Sequence, residues 1–460
     1  MKKRNEELRN ESITKLLWKY SIPAMAGTLV YILYNLVDRI FISFGLGRLA
    51  IAGISITLPI FTFILAISLL IGIGSGVLIS LNLGAGKYEE ADKILGVATL
   101  LFVTIGIGFS IFGSFFIDKI LTAFGATENN LIYAREYMRI IFAAAPFQLI
   151  SIGMNNIIRG EGSPKISMYM NFVGAILNII LDPIFIFTLK MGIAGAAYAT
   201  IIANIVTAVL QLMYFVNGKS KLRFMKKYIK FDFKIIKKIF SIGISPFVMQ
   251  LSNSVVVIFI NKNLNIYGGD IAIAAFGIIN SINTLLFMPI VGIYQGSQPI
   301  IGFNYGAKKY KRVKETYIKA LFIAFSITVI GFILIMFLPH ILISPFIRND
   351  IQLEELTVKS LRIMFSMILF LGLNTIGGNY FQSIGNSKIT ALINILKQII
   401  LMLGFLYILP KKIGLNGVWL SVPLTEVITF SVVCILVIKE LKRLKTLSQA
   451  EDKKIGETLC

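Results

Sequence analysis

Histidine and cysteine are almost missing from this chain: 460 residues hold one His and two Cys. His340 has no cysteine near it, so a His-based zinc site or a Ser/His/Asp triad has no parts to build from. Cys434 lies in an apolar run and Cys460 is the last residue, which excludes a disulfide framework and a CxxC metal or redox site. Charge is scarce too. Only 15 % of residues are charged, against about a quarter in soluble domains, while 56 % are hydrophobic and the mean hydropathy is +0.80. These absences exclude a water-soluble globule and an ordinary hydrolase, and no enzyme activity or cofactor is expected.

Acidic charge is the scarcer sign, with 23 Asp+Glu against 45 Lys+Arg and a net charge of +22. In a polar protein that balance would point to nucleic acid. Here the cations stand between long apolar runs rather than along one face, so they read as topology signals and nucleic acid is not an expected partner.

Long apolar runs are what the sequence has in quantity. Crossing about 30 Å of hydrocarbon takes about 20 apolar residues in a helix. Twelve runs qualify, near 14–43, 51–80, 93–116, 132–157, 166–189, 193–216, 240–262, 271–300, 316–339, 358–382, 389–410 and 415–438. The leading MKKRNEELR precedes a span with Pro23 and no small-residue cleavage site, so an uncleaved first helix is expected. An even count puts both termini on one side. The segments on that side carry 32 Lys/Arg, the opposite connections 12, and Lys397 lies inside a span. The positive-inside rule therefore predicts a multi-pass protein of the cytoplasmic membrane with both termini cytoplasmic. The densest basic stretch, Lys219 to Lys238, has nine cations and only Asp232 opposing them. It reads first as an amphipathic linker that fixes orientation, and second as a contact for anionic lipid.

The chain repeats itself. Gly84-Ala85-Gly86-Lys87-Tyr88 recurs as Gly306-Ala307-Lys308-Lys309-Tyr310, Gly162-Ser163-Pro164-Lys165 as Gly385-Asn386-Ser387-Lys388, and Gly192-Ile193-Ala194-Gly195 as Gly414-Leu415-Asn416-Gly417, at offsets of 222 or 223. Six spans per unit make both halves enter the membrane in the same direction, related by an axis along its normal. The expected division is a terminus at 1–13, an N-lobe at 14–216, a basic linker at 217–239 as the hinge side, a C-lobe at 240–438 and a tail at 439–460. Close helix packing accounts for Gly72, Gly74 and Gly76.

Three carboxylates and one amine lie inside spans: Asp38, Asp182, Glu426 and Lys397. Each costs on the order of 3 kcal/mol in hydrocarbon, so such groups face the bundle interior and read as functional. Asn35 and Asp38 share one helical face, and so do Asn178 and Asp182. At the repeat offset Asn178 falls on Leu401, Asp182 on Phe405 and Asp38 on Asn261, so only the first half carries these acids. A structural role would recur in both lobes, whereas an ion site need occupy only one. Two carboxylates beside an amide in a dry cavity suit a proton or a hard cation such as sodium. The blander readings are a cap at the Pro183 break for Asp182 and a pair with Arg39 for Asp38. Lys397 and Glu426 lie on neighbouring antiparallel spans and are expected to form one buried pair, with Glu426 as a seat for cationic substrate as the alternative.

Pro23, the Asn35–Asp38 pair, Leu83-Gly84-Ala85, Asn155-Asn156 with Arg159-Gly160-Glu161-Gly162, Asn178 with Asp182-Pro183, and Gly195 with Thr200 together resemble the multidrug and toxic compound extrusion (MATE) family. The match spans about residues 12–440 and is nearest its DinF/MepA-like bacterial branch. The resemblance implies an all-α integral membrane protein of two six-helix lobes in a V, exporting drugs in exchange for H⁺ or Na⁺ by alternating access. It implies a coupling-ion site at Asp38, Asn178, Asp182 and Thr200, with Asn35, Asn155 and Asn156 as supporting polar positions. Asn253, Gln295 and Asn374 are amides, which departs from the members with acids in the C-lobe.

Candidates for a substrate cavity are Tyr31, Tyr34, Phe61, Phe147, Gln148, Met249, Gln250, Asn280, Asn283, Phe287, Met288, Tyr294, Gln295 and Gln298. Aromatic faces, thioethers and amides suit bulky amphipathic or cationic small molecules. The expected protein is a monomer in the bilayer, driven by H⁺ or Na⁺. The rivals are a flippase for lipid-linked saccharides, an exporter of a physiological metabolite, a membrane-embedded transferase and a channel.

Overall fold

A computed structural model describes residues 2–459 apart from Lys219, Arg348 and Asn349; the side chains of residues 2–5, 31, 35, 39, 43, 45–49, 51 and 450–459 lie outside the description. Every regular element among the described residues is helical. The solvent dictates this, because a backbone amide in hydrocarbon has no water to bond and must find its partner within its own segment.

Twelve spans result, numbered here in chain order. Span 1 is Ile13–Ile42, span 2 Ala52–Gly84, span 3 Tyr88–Phe115, span 5 Pro164–Thr188, span 6 Gly192–Val216, span 9 Tyr310–Phe337, span 11 Ser387–Ile413 and span 12 Leu415–Gln449. Span 4 is the pair Glu128–Ala143 and Ala145–Gly160, bent by 64°, and span 10 the pair Ile351–Met364 and Leu369–Ser383, bent by 48°. Phe233–Gly306 is 74 residues long, far beyond one crossing at 1.5 Å per residue. Gly269, at φ 63 and ψ −160, breaks it into spans 7 and 8. The twelve-helix all-α expectation is met. His340 sits in the short helix Pro339–Ile343, with Nδ1 2.8 Å from Glu354 Oε1 at the exposed surface.

The chain forms two compact units, one of Met1–Asn5 with Ala26–Gln250 and the other of Glu6–Met25 with Leu251–Cys460. The division does not fall at the linker. Span 1 changes unit between Met25 and Ala26, just past Pro23, and the start of span 7 as far as Gln250 belongs to the first unit.

The repeat is built into the backbone of the connections. Gly86 has φ 74 and its counterpart Lys308 has φ 58, although a lysine there costs about 1 kcal/mol or more. Gly162 and Gly385 have φ 93 and 84, and Gly192 and Gly414 have φ 64 and 59. Asn82 Nδ2 donates to Leu78 O at 2.7 Å, and Asn304 Nδ2 donates to Ile300 O at 2.9 Å. The amides of Lys87 and Lys309 donate to the carbonyls of Asn82 and Asn304, both at 2.8 Å. One local solution is thus used twice, 222 residues apart.

Glycine sets the helix spacing in the first unit. A Cβ on Gly72 would lie 2.6 Å from Gly153 O, and one on Gly76 would lie 2.6 Å from Asn156 O, so spans 2 and 4 touch through their backbones. In the second unit larger side chains fill the core, with Leu264, Ile279, Leu361 and Trp419 at 1 % exposure or less. Gly72→Ala is expected to cost about 1–3 kcal/mol. A lower midpoint of thermal unfolding in detergent would register that cost. Gly108→Ala, where nothing lies within 4 Å of the added methyl, is the neutral control.

Candidate functional site

The first unit gathers three of the residues singled out above. Asn178 and Asp182 lie one turn apart on the helix Pro164–Pro183 and are buried at 1 % and 0 % exposure. Asn178 Nδ2 donates to Asp182 Oδ1 at 3.3 Å. Immediately after Asp182, Pro183 supplies no N–H, and Ile184–Thr188 continues as a π-helical turn. Span 1 places half-buried Asp38 close enough to Asp182 for the two carboxyls to act on one another. Two neighbouring carboxyls in a dry site do not both ionise readily, because like charges repel there. Asp182 Oδ2 and Asn178 Oδ1 have no hydrogen-bond partner among the described residues. Closely set acceptor oxygens in a dry interior hold one small cation, a proton or a hard metal ion, more readily than two bare charges.

The other expected members are placed differently. Thr200 is half-buried on span 6, and its carbonyl accepts from Asn204 Nδ2 at 3.0 Å. Asn204 Oδ1 accepts from Ser151 Oγ at 2.7 Å, and the Ser151 carbonyl accepts from Gln211 Nε2 at 2.9 Å. This ladder joins spans 4 and 6. Asn155 is buried and gives its amide to Asn171 Oδ1 while its own Oδ1 accepts from Ser167, which locks span 4 to span 5. Asn156 Oδ1 accepts from Arg159 Nη2 at 2.7 Å, and its Nδ2 donates to Ile152 O at 3.2 Å. Those two amides are engaged with bundle partners, not with the acid pair. The side chains of Asn35, Tyr31 and Arg39 lie outside the described residues. Asn171, Asn204 and Gln211 were not singled out from the sequence. Asn204, Thr207 and Gln211, at i, i+3 and i+7 in an apolar run, were the signal available.

Among the substrate-cavity candidates, Gln148 and Met288 are buried at 8 % and 9 % exposure. Tyr34, Met249 and Gln250 are half-buried in the first unit; in the second, Asn283, Tyr294 and Gln295 are half-buried and Asn280 is exposed.

The second unit holds a different charged cluster. Lys397 Nζ lies 2.6 Å from Glu426 Oε1, with side-chain exposures of 19 % and 10 %. Asn374 Nδ2 donates to Glu426 Oε2 at 2.7 Å and to the Glu426 carbonyl at 3.0 Å. Lys397 belongs to the π-helical stretch Ile395–Met402. At the repeat offsets Glu426 corresponds to Asn204 and Asn374 to Ser151, the two residues in hydrogen bond in the first unit. Spans 10 and 12 are therefore joined where spans 4 and 6 are joined, with an ion pair to span 11 added.

Twelve helices in two repeated units, with ionisable groups held inside, define a polytopic membrane transporter built by duplication. The MatE family profile matches residues 23–184 and 242–408, and the chain belongs to that family, whose members are transporters and not enzymes. It is 28 % identical over 415 residues to the multidrug export protein MepA of Staphylococcus aureus (strain MRSA252), covering 90 % of this chain and 91 % of that one. Against MepA of Staphylococcus haemolyticus (strain JCSC1435) it is 29 % identical over 418 residues, 91 % of each chain. Among solved structures, the outward-facing conformation of a multidrug resistance MATE family transporter of the MOP superfamily superposes with a TM-score of 0.89 at 28 % identity, over 96 % of this chain and 98 % of that one. A MATE structure in the bent conformation gives 0.91 at 28 % identity, over 97 % and 99 %.

Breaking the Lys397–Glu426 pair from one side leaves a buried charge. Lys397→Met is expected to destabilise the protein by about 3 kcal/mol or more. The double variant Lys397→Met/Glu426→Gln is expected to recover most of that loss, as read from thermal unfolding in detergent.

Proposed function

We propose that this transporter is a secondary antiporter that exports amphipathic or cationic drugs by alternating access, taking H⁺ or Na⁺ in exchange at Asp38, Asn178 and Asp182. The observation that carries the reading is the contact of two span carboxyls beside an amide in the first unit, absent at the repeat-related positions of the second. A repeated fold that keeps its turns but places Asp38 and Asp182 in one unit, with Asn261 and Phe405 at the matching positions of the other, has separated scaffold from ion chemistry. The similarity to MepA supports drugs as the exported class.

The coupling follows from differential binding. A cation neutralises the acid pair in one access state and leaves in the other, and it shifts the two states only as far as its affinity differs between them. A difference of about 1.4 kcal/mol gives a tenfold shift. Protonation of Asp182 would serve H⁺ exchange, and the amide oxygen of Asn178 and the oxygens of Thr200 are the neutral ligands that Na⁺ would use. Pro23, just before the point where span 1 changes unit, is the place for the accompanying bend. The excess of cations at 217–239 and both chain ends supports cytoplasmic termini, and the protein works as a monomer. A saccharide-lipid flippase would need free cations for pyrophosphate, and the one lysine deep in a span, Lys397, is bound to Glu426.

The test is drug efflux from proteoliposomes under an imposed pH gradient and, separately, a sodium gradient. Efflux driven by one of them, and lost in Asp182→Asn with the protein still folded, is the expected result. Undiminished export by Asp182→Asn would remove the mechanism, and efflux driven by neither gradient would remove the antiporter.

A further inference from the structure

The connection between spans 6 and 7 is strapped onto the first unit. Ser220, Lys221 and Leu222 are buried. Ser220 Oγ and the Tyr214 hydroxyl both donate to the carboxylate of Glu161, which is 1 % exposed. Burial pushes that carboxyl up from its ordinary range, while the two hydroxyls and nearby Lys221 oppose the rise. Further along, the Arg223 amide donates to Asp92 Oδ1 at 2.7 Å and the Tyr228 hydroxyl to Glu89 Oε1 at 3.0 Å. Tyr228 presses so closely on span 3 that a Cβ on Gly96 would lie 2.5 Å from its carbonyl oxygen. Ile235 and Ile239 complete the buried side at 7 % and 0 %.

The outer side of the strap has the opposite character. Phe231 and Phe233 are 55 % and 80 % exposed. Around them stand seven exposed cations between Arg223 and Lys238. The one acid in that stretch, Asp232, is spent on the backbone, accepting from the amides of Lys234 at 2.9 Å and Ile235 at 3.1 Å. Phe233 opens the helix that runs on into span 7, about 10 Å before residue 240, which is the depth of lipid headgroups.

A signal that only fixes orientation needs neither a buried anchor nor exposed phenylalanines beside its lysines. We propose that this strap is a binding surface for anionic phospholipid, with the cations on the headgroup phosphates and Phe231 and Phe233 seated at the top of the acyl chains. Charge complementarity selects the occupant, since the patch is cationic, its acid is used, and its exposed apolar rings come just before the apolar run of span 7. The strap is tied to spans 3 and 4 and to the end of span 6, so occupancy would stabilise the packing of the first unit.

The experiment is lipid retention by the purified full-length protein, followed by native mass spectrometry with phosphatidylglycerol and phosphatidylcholine. Lys226→Gln/Lys230→Gln/Lys234→Gln is expected to lower phosphatidylglycerol retention by about tenfold or more and to leave phosphatidylcholine retention unchanged. Phe231→Ser/Phe233→Ser is expected to lower retention of phosphatidylglycerol as well. Removing three exposed lysines elsewhere, in Lys439→Gln/Lys442→Gln/Lys445→Gln, is expected to have little effect. An unchanged thermal midpoint in zwitterionic lipid confirms that the strap variants fold. Undiminished retention in the strap variants, or an equal loss in the C-terminal control, would overturn the proposal. The readout does not involve transport, so its failure is distinct from failure of the antiport reading.

Discussion

A peptide group in hydrocarbon has no water to bond, and the architecture follows from that constraint. Each span closes its own hydrogen bonds as a helix, and turns fall in short connections where glycines, or Lys190 and Lys308, take the left-handed conformation. Association then needs contacts other than simple hydrophobic burial, because lipid is as apolar as the side chains. The first unit meets this need with glycine pairs that bring backbones together and with amide and hydroxyl bonds between helices. Gly72 against Gly153 and Asn155 against Asn171 are one instance of each.

The same constraint governs charge. The carboxylates and the lysine singled out in the spans stand beside other polar groups, and these companions differ between units. Lys397 and Glu426 neutralise each other and are tied further by Asn374, at positions where the first unit uses the neutral Ser151–Asn204 bond. Asp38 and Asp182 stand near one another as like groups. One unit therefore sets a lysine against its acid, and the other sets acid beside acid. The proposed ion-coupled cycle rests on that difference.

Around the linker, charge serves attachment. Glu161, Asp92 and Glu89 receive hydroxyls and an amide from the linker and leave its lysines facing outward. Acids in short supply are used to fix the strap, and cations in excess are left for the lipid surface.

Much of this was readable from residue order. Hydrocarbon thickness makes twelve apolar runs into twelve helices, the 222-residue offset marks the duplication, and the Asp38, Asn178 and Asp182 positions, filled in one half and not in the other, mark the proposed ion site. Asn178 and Asp182 were legible as a pair because a helix brings positions four apart onto one face whatever surrounds it. What only the tertiary structure decided was the partner of each polar group. Asn155 turns to Asn171 and Ser167, and Asn204 accepts from Ser151 on another span, choices set by helix rotation and spacing that no local pattern encodes. The switch of span 1 between units past Pro23, and of span 7 at Gln250, is equally invisible in sequence, because membership in a compact unit depends on long-range packing. The bends in spans 4 and 10 and the burial of the linker were decided there as well, since both depend on which neighbours accept the backbone and side-chain bonds that the chain alone leaves unassigned.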